Sequence, residues 1–268
     1  MDREPHYRGG GGGGEVALLI LDTGHPVRHF DRIDSTNLEA RRLADQGECG
    51  PLWLRADEQT LGRGRLGRNW VSELGNLYAT FLFPISESPQ AAAQVSFVAA
   101  LAVHDMVMAL RPGLSPRIKW PNDVLIGGAK FCGVLPEVVG QNPTRIAIGC
   151  GVNVAHAPVG TPYPVTALGA DLGLGDVLRE LDSSLTRRLT QWDEGRGFAA
   201  IRDAWSERAL GLGSAVTAIT GTRQMRGTFR ALAADGALVL EGDDGTLTPI
   251  HAGEVSFAEL EALRRKPT

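Results

Sequence analysis

Lys119-Trp120-Pro121-Asn122-Asp123-Val124-Leu125-Ile126-Gly127-Gly128-Ala129-Lys130 carries two of the three lysines in a chain that has twenty-four arginines. Its ends run into Arg117–Trp120 and Lys130–Val139, which read as strands because they are rich in β-branched or apolar residues. Against so strong an arginine bias, lysine is expected where a compact ammonium does what a planar guanidinium cannot, such as bridging two anions at a reacting centre. Lys119 alone is equally well explained by chance. The pair beside Asn122-Asp123, a dipeptide suited to a hard divalent cation, reads as a site. The third lysine, Lys266, is in the tail.

On either side the chain alternates between α and β signals. Val16–Leu21, Pro51–Ala56, Asn76–Phe83 and Arg145–Val154 read as strands. Thr36–Gln46 reads as a helix that opens on a Thr36/Glu39 capping box and stops at Gly47. Pro89–Leu110 reads as one long buried helix, and Asp176–Trp192 and Phe198–Leu210 as amphipathic ones, after an extended loop at Thr161-Pro162-Tyr163-Pro164. From Gly213 the pattern changes to short strands, Ala215–Ile219, Met225–Ala231, Ala237–Glu241 and Thr246–His251. Asp235-Gly236 and Asp244-Gly245 mark hairpins, so this part is expected to be a small β-barrel. The expected organisation is α+β: a flexible Gly-rich extension over 1–27, a catalytic body over 28–212, a small barrel over 213–260 and a tail over 261–268.

Composition narrows the class. The 268 residues are 43% hydrophobic and 22% charged, with a net charge of -4, as in an ordinary globular protein, and that charge weighs against general nucleic-acid binding. The most apolar stretch, Val95–Leu110, is interrupted by His104 and Asp105 and is too short to span a bilayer. With no secretory leader in view, and with Cys49, Cys132 and Cys150 odd in number and lacking a Cys-x-x-Cys pair, a reducing cytoplasm is expected and a zinc site is not. Gly9–Gly14 is six consecutive glycines without the strand, helix or Gly-Lys-Ser/Thr of a phosphate loop, and reads as a flexible tail.

Gly62-Arg63-Gly64-Arg65-Leu66-Gly67-Arg68 is the second chemical element. It satisfies G-x-G-x-x-G, but Asn69-Trp70-Val71-Ser72 and a strand follow where a dinucleotide-binding turn needs a helix. What remains is a glycine loop with three guanidinium groups, suited to phosphate or carboxylate, or else a solvated basic turn. Mutual repulsion among Arg63, Arg65 and Arg68 is expected to keep it mobile until an anion enters.

Asp34-Ser35-Thr36-Asn37, Glu58-Gln59-Thr60 before the arginine loop, Trp70, Lys119-Trp120-Pro121-Asn122-Asp123-Val124, Lys130–Glu137 and Gly149-Cys150-Gly151-Val152-Asn153 together resemble, in order, the motifs of the biotin protein ligase family. The match covers roughly residues 30–155, and the barrel-like tail is similar to the family's C-terminal domain. Departures are small: Leu61 before the loop, and Phe131 and Pro136 in the lysine strand, where Pro136 removes a backbone donor and suggests an edge or bulge.

This resemblance implies a class II synthetase-like core, a central mixed β-sheet flanked by helices, with a C-terminal SH3-like β-barrel. It implies that biotin and ATP, with Mg²⁺, form biotinyl-5'-adenylate, from which the biotinyl group passes to a lysine of a biotin carboxyl carrier protein. Lys130 matches the catalytic lysine, and Arg63, Gly64 and Arg65 match residues closing over biotin and the adenylate. Arg68 and Lys119 would face phosphates, Asn122 and Asp123 the nucleotide, and Asp123 would also contact Mg²⁺. Ser35, Thr36, Asn37 and Gln59 would bind the ureido group, although Thr36 is equally readable as a helix cap. Gly133 and Gly151 would lie bare beneath biotin's aliphatic arm, Trp70 would cover adenine or belong to the core, and Asn153 would touch the nucleotide or end a strand. Asp123 is a candidate proton acceptor in the second step, although a bound metal lowers its basicity. A lipoyl or octanoyl ligase or transferase with a related core is the nearest alternative. Only 34 residues precede Ser35, so specific DNA binding is not expected; a homodimer is left open.

Overall fold

Residues 18–86 and 89–257 are described by the computed structural model. In chain order they form β1 (Leu18–Ile20), β2 (Pro26–Ile33), α1 (Thr36–Asp45), β3 (Leu52–Gln59), β4 (Leu77–Ile85), α2 (Pro89–Ala92), α3 (Val95–Leu110), β5 (Pro116–Lys119), β6 (Asp123–Ile126), β7 (Ala129–Gly140), β8 (Thr144–Val152), α4 (Leu174–Trp192) and α5 (Phe198–Arg208). Five strands follow: β9 (Ala215–Thr220), β10 (Arg223–Leu232), β11 (Leu238–Glu241), β12 (Leu247–Ile250) and β13 (Glu254–Phe257).

The first eight strands make one sheet in the order β1-β2-β3-β4-β8-β7-β6-β5. Only β2 and β3 run parallel; the other neighbours are antiparallel, so the sheet is mixed as expected. Its alternation divides the side chains between two layers. Trp53, Phe81, Ile148 and Val152 enter the main core with α3, α4 and α5, whereas Leu54, Leu82 and Ala147 form a smaller core that includes Ala40 and Leu43 of α1. α3 lies deep in the main core, which is why Val95–Val107 is apolar on nearly every side. Among the described residues no helix is long and apolar enough to cross a membrane.

The Lys119–Lys130 stretch contains a strand that its pattern hides. β6 pairs with β5 on one side and β7 on the other. The β6–β7 turn is Gly127-Gly128, with φ of 58° and 80°, a left-handed conformation that glycine takes without a side-chain penalty. β6 covers β7 only as far as Gly133, so at Pro136 the strand pairs with β8 alone and the missing N–H costs no ladder bond.

Several expectations are corrected. Residues 18–27, expected to belong to the N-terminal extension, are part of the fold: β1 pairs with Pro26–Arg28, and the intervening turn is tied to α4 through Asp182. That buried carboxylate accepts from Thr23 Oγ1 and from Trp53 Nε1 at 2.8 Å, and lies 2.6 Å from His25 Nδ1. Gly9–Gly14, the tail over 261–268 and residues 258–260 lie outside the described residues. The long helix from Pro89 is two, broken around Gln94, whose Oε1 accepts from Trp192 Nε1 at 2.8 Å. The C-terminal strands form the expected small β-domain, an antiparallel sheet ordered β12-β11-β10-β9-β13. This sheet shares the main core through Phe229, Leu238 and Phe257, and Trp120 Nε1 donates to Gly236 O at 3.2 Å.

Candidate active site

α1 begins on the sheet face opposite α3, bringing Ser35, Thr36 and Asn37 over β4, β7 and β8. All three are buried, and the side chains of Thr36 and Asn37 are claimed by a network. Gln59 Oε1 accepts from Thr36 N at 2.9 Å and Thr36 Oγ1 at 3.1 Å, and Gln59 Nε2 donates to Ser72 Oγ at 3.0 Å. Asn37 Nδ2 donates to Glu137 Oε2 at 2.7 Å and to Leu135 O at 3.2 Å, while its Oδ1 lies 2.7 Å from the Thr80 hydroxyl. Thr36 is therefore not a cap. The N-cap is Ser35, without a side-chain bond, and Glu39 is taken by Arg42 at 2.6 Å, so the capping box does not form. A tertiary acceptor, Gln59, wins over the local pattern.

The sheet floor beside this network is glycine. A Cβ at Gly149 would collide with Asn37 Oδ1, and one at Gly151 would stand 2.6 Å from Trp70 Nε1. One at Gly133 would meet Trp70 Cζ3 at 2.8 Å. Trp70 thus rests on Gly133 and Gly151, the strip expected to lie bare beneath the aliphatic arm, and its buried indole N–H has no hydrogen-bond partner.

The arginine loop is folded, with a short 3-10 turn at Arg65–Gly67 and Leu66 at φ 57°. Each guanidinium has a protein partner. Arg63 lies 3.6 Å from Glu137, Arg65 Nη1 donates to Asn122 Oδ1 at 2.9 Å and its Nη2 to Gly253 O at 3.3 Å, and Arg68 pairs with Glu254. The expected repulsion among the three guanidinium groups is offset by acceptors from the β6–β7 region and the C-terminal sheet. Burial lowers the Arg65 pKa, while the Glu254 hydrogen bond raises that of Arg68.

Lys130 Nζ stands 2.7 Å from Asp123 Oδ1. Burial works against its charge, but Asp123 outweighs burial and holds the ammonium above its ordinary pKa, so Lys130 is a cation near neutrality. Asn122, buried, donates to Val134 O and so braces the β6 end of the site.

One cavity of about 140 Å³ gathers these groups. Its lining includes Ser35, Thr36, Asn37, Gln59, Arg63, Gly64, Arg65, Arg68, Trp70, Lys119, Asn122, Asp123, Lys130, Gly133 and Gly151. Asn153 is not among them. It is buried, its N–H donates to Phe131 O at 2.8 Å, its Nδ2 donates to Thr166 O at 3.1 Å and its carbonyl accepts from Leu168 N, so it supports the next loop. Sequence reasoning missed Tyr163, Gly149 and Glu254 in the lining, and Thr80 and Glu137 behind it. Gly149 stands within one motif and Glu137 closes another; Tyr163, Thr80 and Glu254 carry no local signal.

The cavity joins a neutral hydrogen-bonding end, a glycine floor covered by Trp70, a half-buried ammonium–carboxylate pair and a basic rim. Such a site can hold two anions together while a polar head group is fixed at a distance. The Biotin/lipoate A/B protein ligase family matches residues 30–153, and the Biotin protein ligase C terminal domain matches residues 211–258. A biotin--[acetyl-CoA-carboxylase] ligase of Paracoccus denitrificans is 42% identical over 238 residues, covering 84% of this chain and 98% of that protein. The bifunctional ligase/repressor of Escherichia coli K12 is 30% identical, over 93% of this chain and 76% of its own length. Among solved structures, the Aquifex aeolicus biotin protein ligase in complex with biotin and ATP superposes with a TM-score of 0.73 at 28% identity, covering 86% of this chain and 97% of that one. Identity sustained over nearly the whole of a relative, with both halves of the fold matched, makes this chain a member of the biotin protein ligase family.

Proposed function

We propose that this cavity condenses biotin with ATP. The chain catalyses ATP-dependent ligation of biotin to a lysine of a biotin carboxyl carrier protein by way of biotinyl-5'-AMP. The biotin carboxylate attacks the α-phosphorus, the bond to pyrophosphate breaks, and the acceptor amine then takes the acyl group, losing a proton as AMP leaves. The reading is carried by the Lys130–Asp123 pair, set between the polar end and the arginine rim. Ser35, Thr36, Asn37 and Gln59 offer the donors and acceptors that a ureido group needs. Lys130 offsets the repulsion between carboxylate and α-phosphate, and Arg65, Arg68 and Lys119 take the remaining phosphate charge.

Asp123 and Glu254 are the carboxylates in the cavity lining, and Glu254 is held by Arg68. A Mg²⁺ ion that keeps most of its waters needs one or two carboxylates beside phosphate oxygens, so this donor set fits a cation arriving with the nucleotide, with Asp123 as its contact. The cation would supply charge neutralisation at the leaving pyrophosphate.

The deciding experiment is mass detection of the intermediate after mixing the protein with Mg-ATP and either biotin or lipoate. Biotinyl-adenylate with biotin alone is expected; lipoyl-adenylate as the sole product would overturn the reading.

A further inference from the structure

Lys130 is held through its backbone by a segment that the motifs do not include. Its N–H donates to Pro164 O at 2.9 Å, and its carbonyl accepts from Thr166 N at 3.0 Å, so residues 164–166 lie beside it as a short parallel bridge through Val165. Asn153 fixes the same segment from behind, through Thr166 O and Leu168 N. Tyr163 stands at the head of this segment and lines the cavity, with its ring centroid 5.7 Å from Lys130 Nζ. Trp70 presents a second aromatic ring, 5.4 Å from the same atom.

The two rings differ in how they are held. Trp70 belongs to the arginine loop and lies on the glycine floor, so a ligand arm that takes that floor displaces it. Tyr163 directly precedes the segment whose Pro164 O and Thr166 N are bonded to the Lys130 backbone, and does not depend on where the loop goes. An aromatic face attracts an ammonium through its quadrupole without occupying the directed N–H bonds that a carboxylate would take. A lysine side chain also has substantial rotamer entropy, which a neighbouring ring limits before the reaction begins. Asp123 cannot do this alone if it also serves a cation on the nucleotide.

We infer that Tyr163 is a positioning residue for Lys130: its ring keeps the ammonium aimed into the cavity, with its donors free for the two reacting anions, after Trp70 has been displaced. This rests on the assignment of Lys130 as the reacting-centre cation, so that assignment is tested in parallel.

The assay is biotin-dependent exchange of pyrophosphate into ATP by the full chain, with thermal melts as a control for folding. Tyr163→Leu lowers kcat by about ten-fold, with the KM for biotin within about two-fold and the melt unchanged. Tyr163→Phe, which keeps the ring and loses only the hydroxyl, restores most of the turnover. The inference is overturned if Tyr163→Leu matches the parent while Lys130→Met is inactive, or if Tyr163→Phe is as poor as Tyr163→Leu, because the hydroxyl and not the ring would then be at work. A fully active Lys130→Met would remove the lysine assignment itself, and this inference with it.

Discussion

Gly149→Ala places one methyl group where the site has no room for it. Its Cβ would overlap Asn37 Oδ1 and stand 3.0 Å from Asn37 Cγ. The Asn37 amide cannot turn aside cheaply, because it is bonded to Thr80 Oγ1 and Glu137 Oε2, each at 2.7 Å, and to Leu135 O at 3.2 Å. Moving it gives up those bonds and leaves the fully buried Thr80 hydroxyl with Thr36 Oγ1 as its remaining partner, at a cost of roughly 2–4 kcal/mol. For a chain of this size that corresponds to a fall in Tm of about 5–10 °C. Because Asn37 helps form the polar end of the cavity, biotin affinity measured by calorimetry falls by at least about ten-fold. Gly151→Ala is the control. Its methyl group meets the Trp70 ring, a side chain on a loop that can swing away, so the melt moves by no more than about 2 °C while biotin binding still weakens. A Gly149→Ala protein that melts and binds like the parent would refute the reasoning.

Two further outcomes follow from the same geometry. Of the five tryptophans, Trp53, Trp192 and Trp205 are buried away from the cavity, and Trp120, which also lines it, is buried and held by Gly236 O, so a change in intrinsic fluorescence on adding biotin arises from Trp70 leaving the glycine floor. Trp70→Phe abolishes that change, and a signal surviving the substitution would contradict the displacement. On α3, burial pushes the Asp105 carboxyl up, but hydrogen bonds from His104 and Arg188 outweigh it and leave the group below its ordinary value of 3.8. A lowered pKa in the folded state gives stability that is present above about 3.8 and lost as pH falls through the folded value. Asp105→Asn therefore destabilises the protein by about 2 kcal/mol at pH 7 and makes urea denaturation less sensitive to acid below about pH 4; an unchanged acid limb would refute this.

Much of the site is readable because its motifs are short runs whose residues stay together in space. Lys119, Asn122, Asp123 and Lys130 sit on three successive antiparallel strands and their turns, so twelve residues of sequence deliver them to one cavity. The arginine loop is readable as an anion site for the same reason. What stays hidden depends on pairing between distant segments. Tyr163 reaches Lys130 through a parallel bridge, Glu254 reaches Arg68 from the C-terminal sheet, and Thr80 enters the network from a strand buried on both faces. Thr36 reads as a cap because its local pattern favours one, while Gln59, 23 residues away, supplies a better partner. β2 escapes notice because Pro26–Ile33 lies near a sheet edge, half-buried on both faces, and shows no clean alternation.

The central claim is that the ammonium at position 130 neutralises an acid and a nucleotide so that they can condense. Lys130→Met tests it most directly, since methionine keeps an unbranched apolar side chain against Trp70 and Tyr163 but carries no charge. In single-turnover formation of biotinyl-adenylate, a folded Lys130→Met protein is predicted to be slower than the parent by at least about 10²-fold. Adenylate formation at the parental rate would contradict the account.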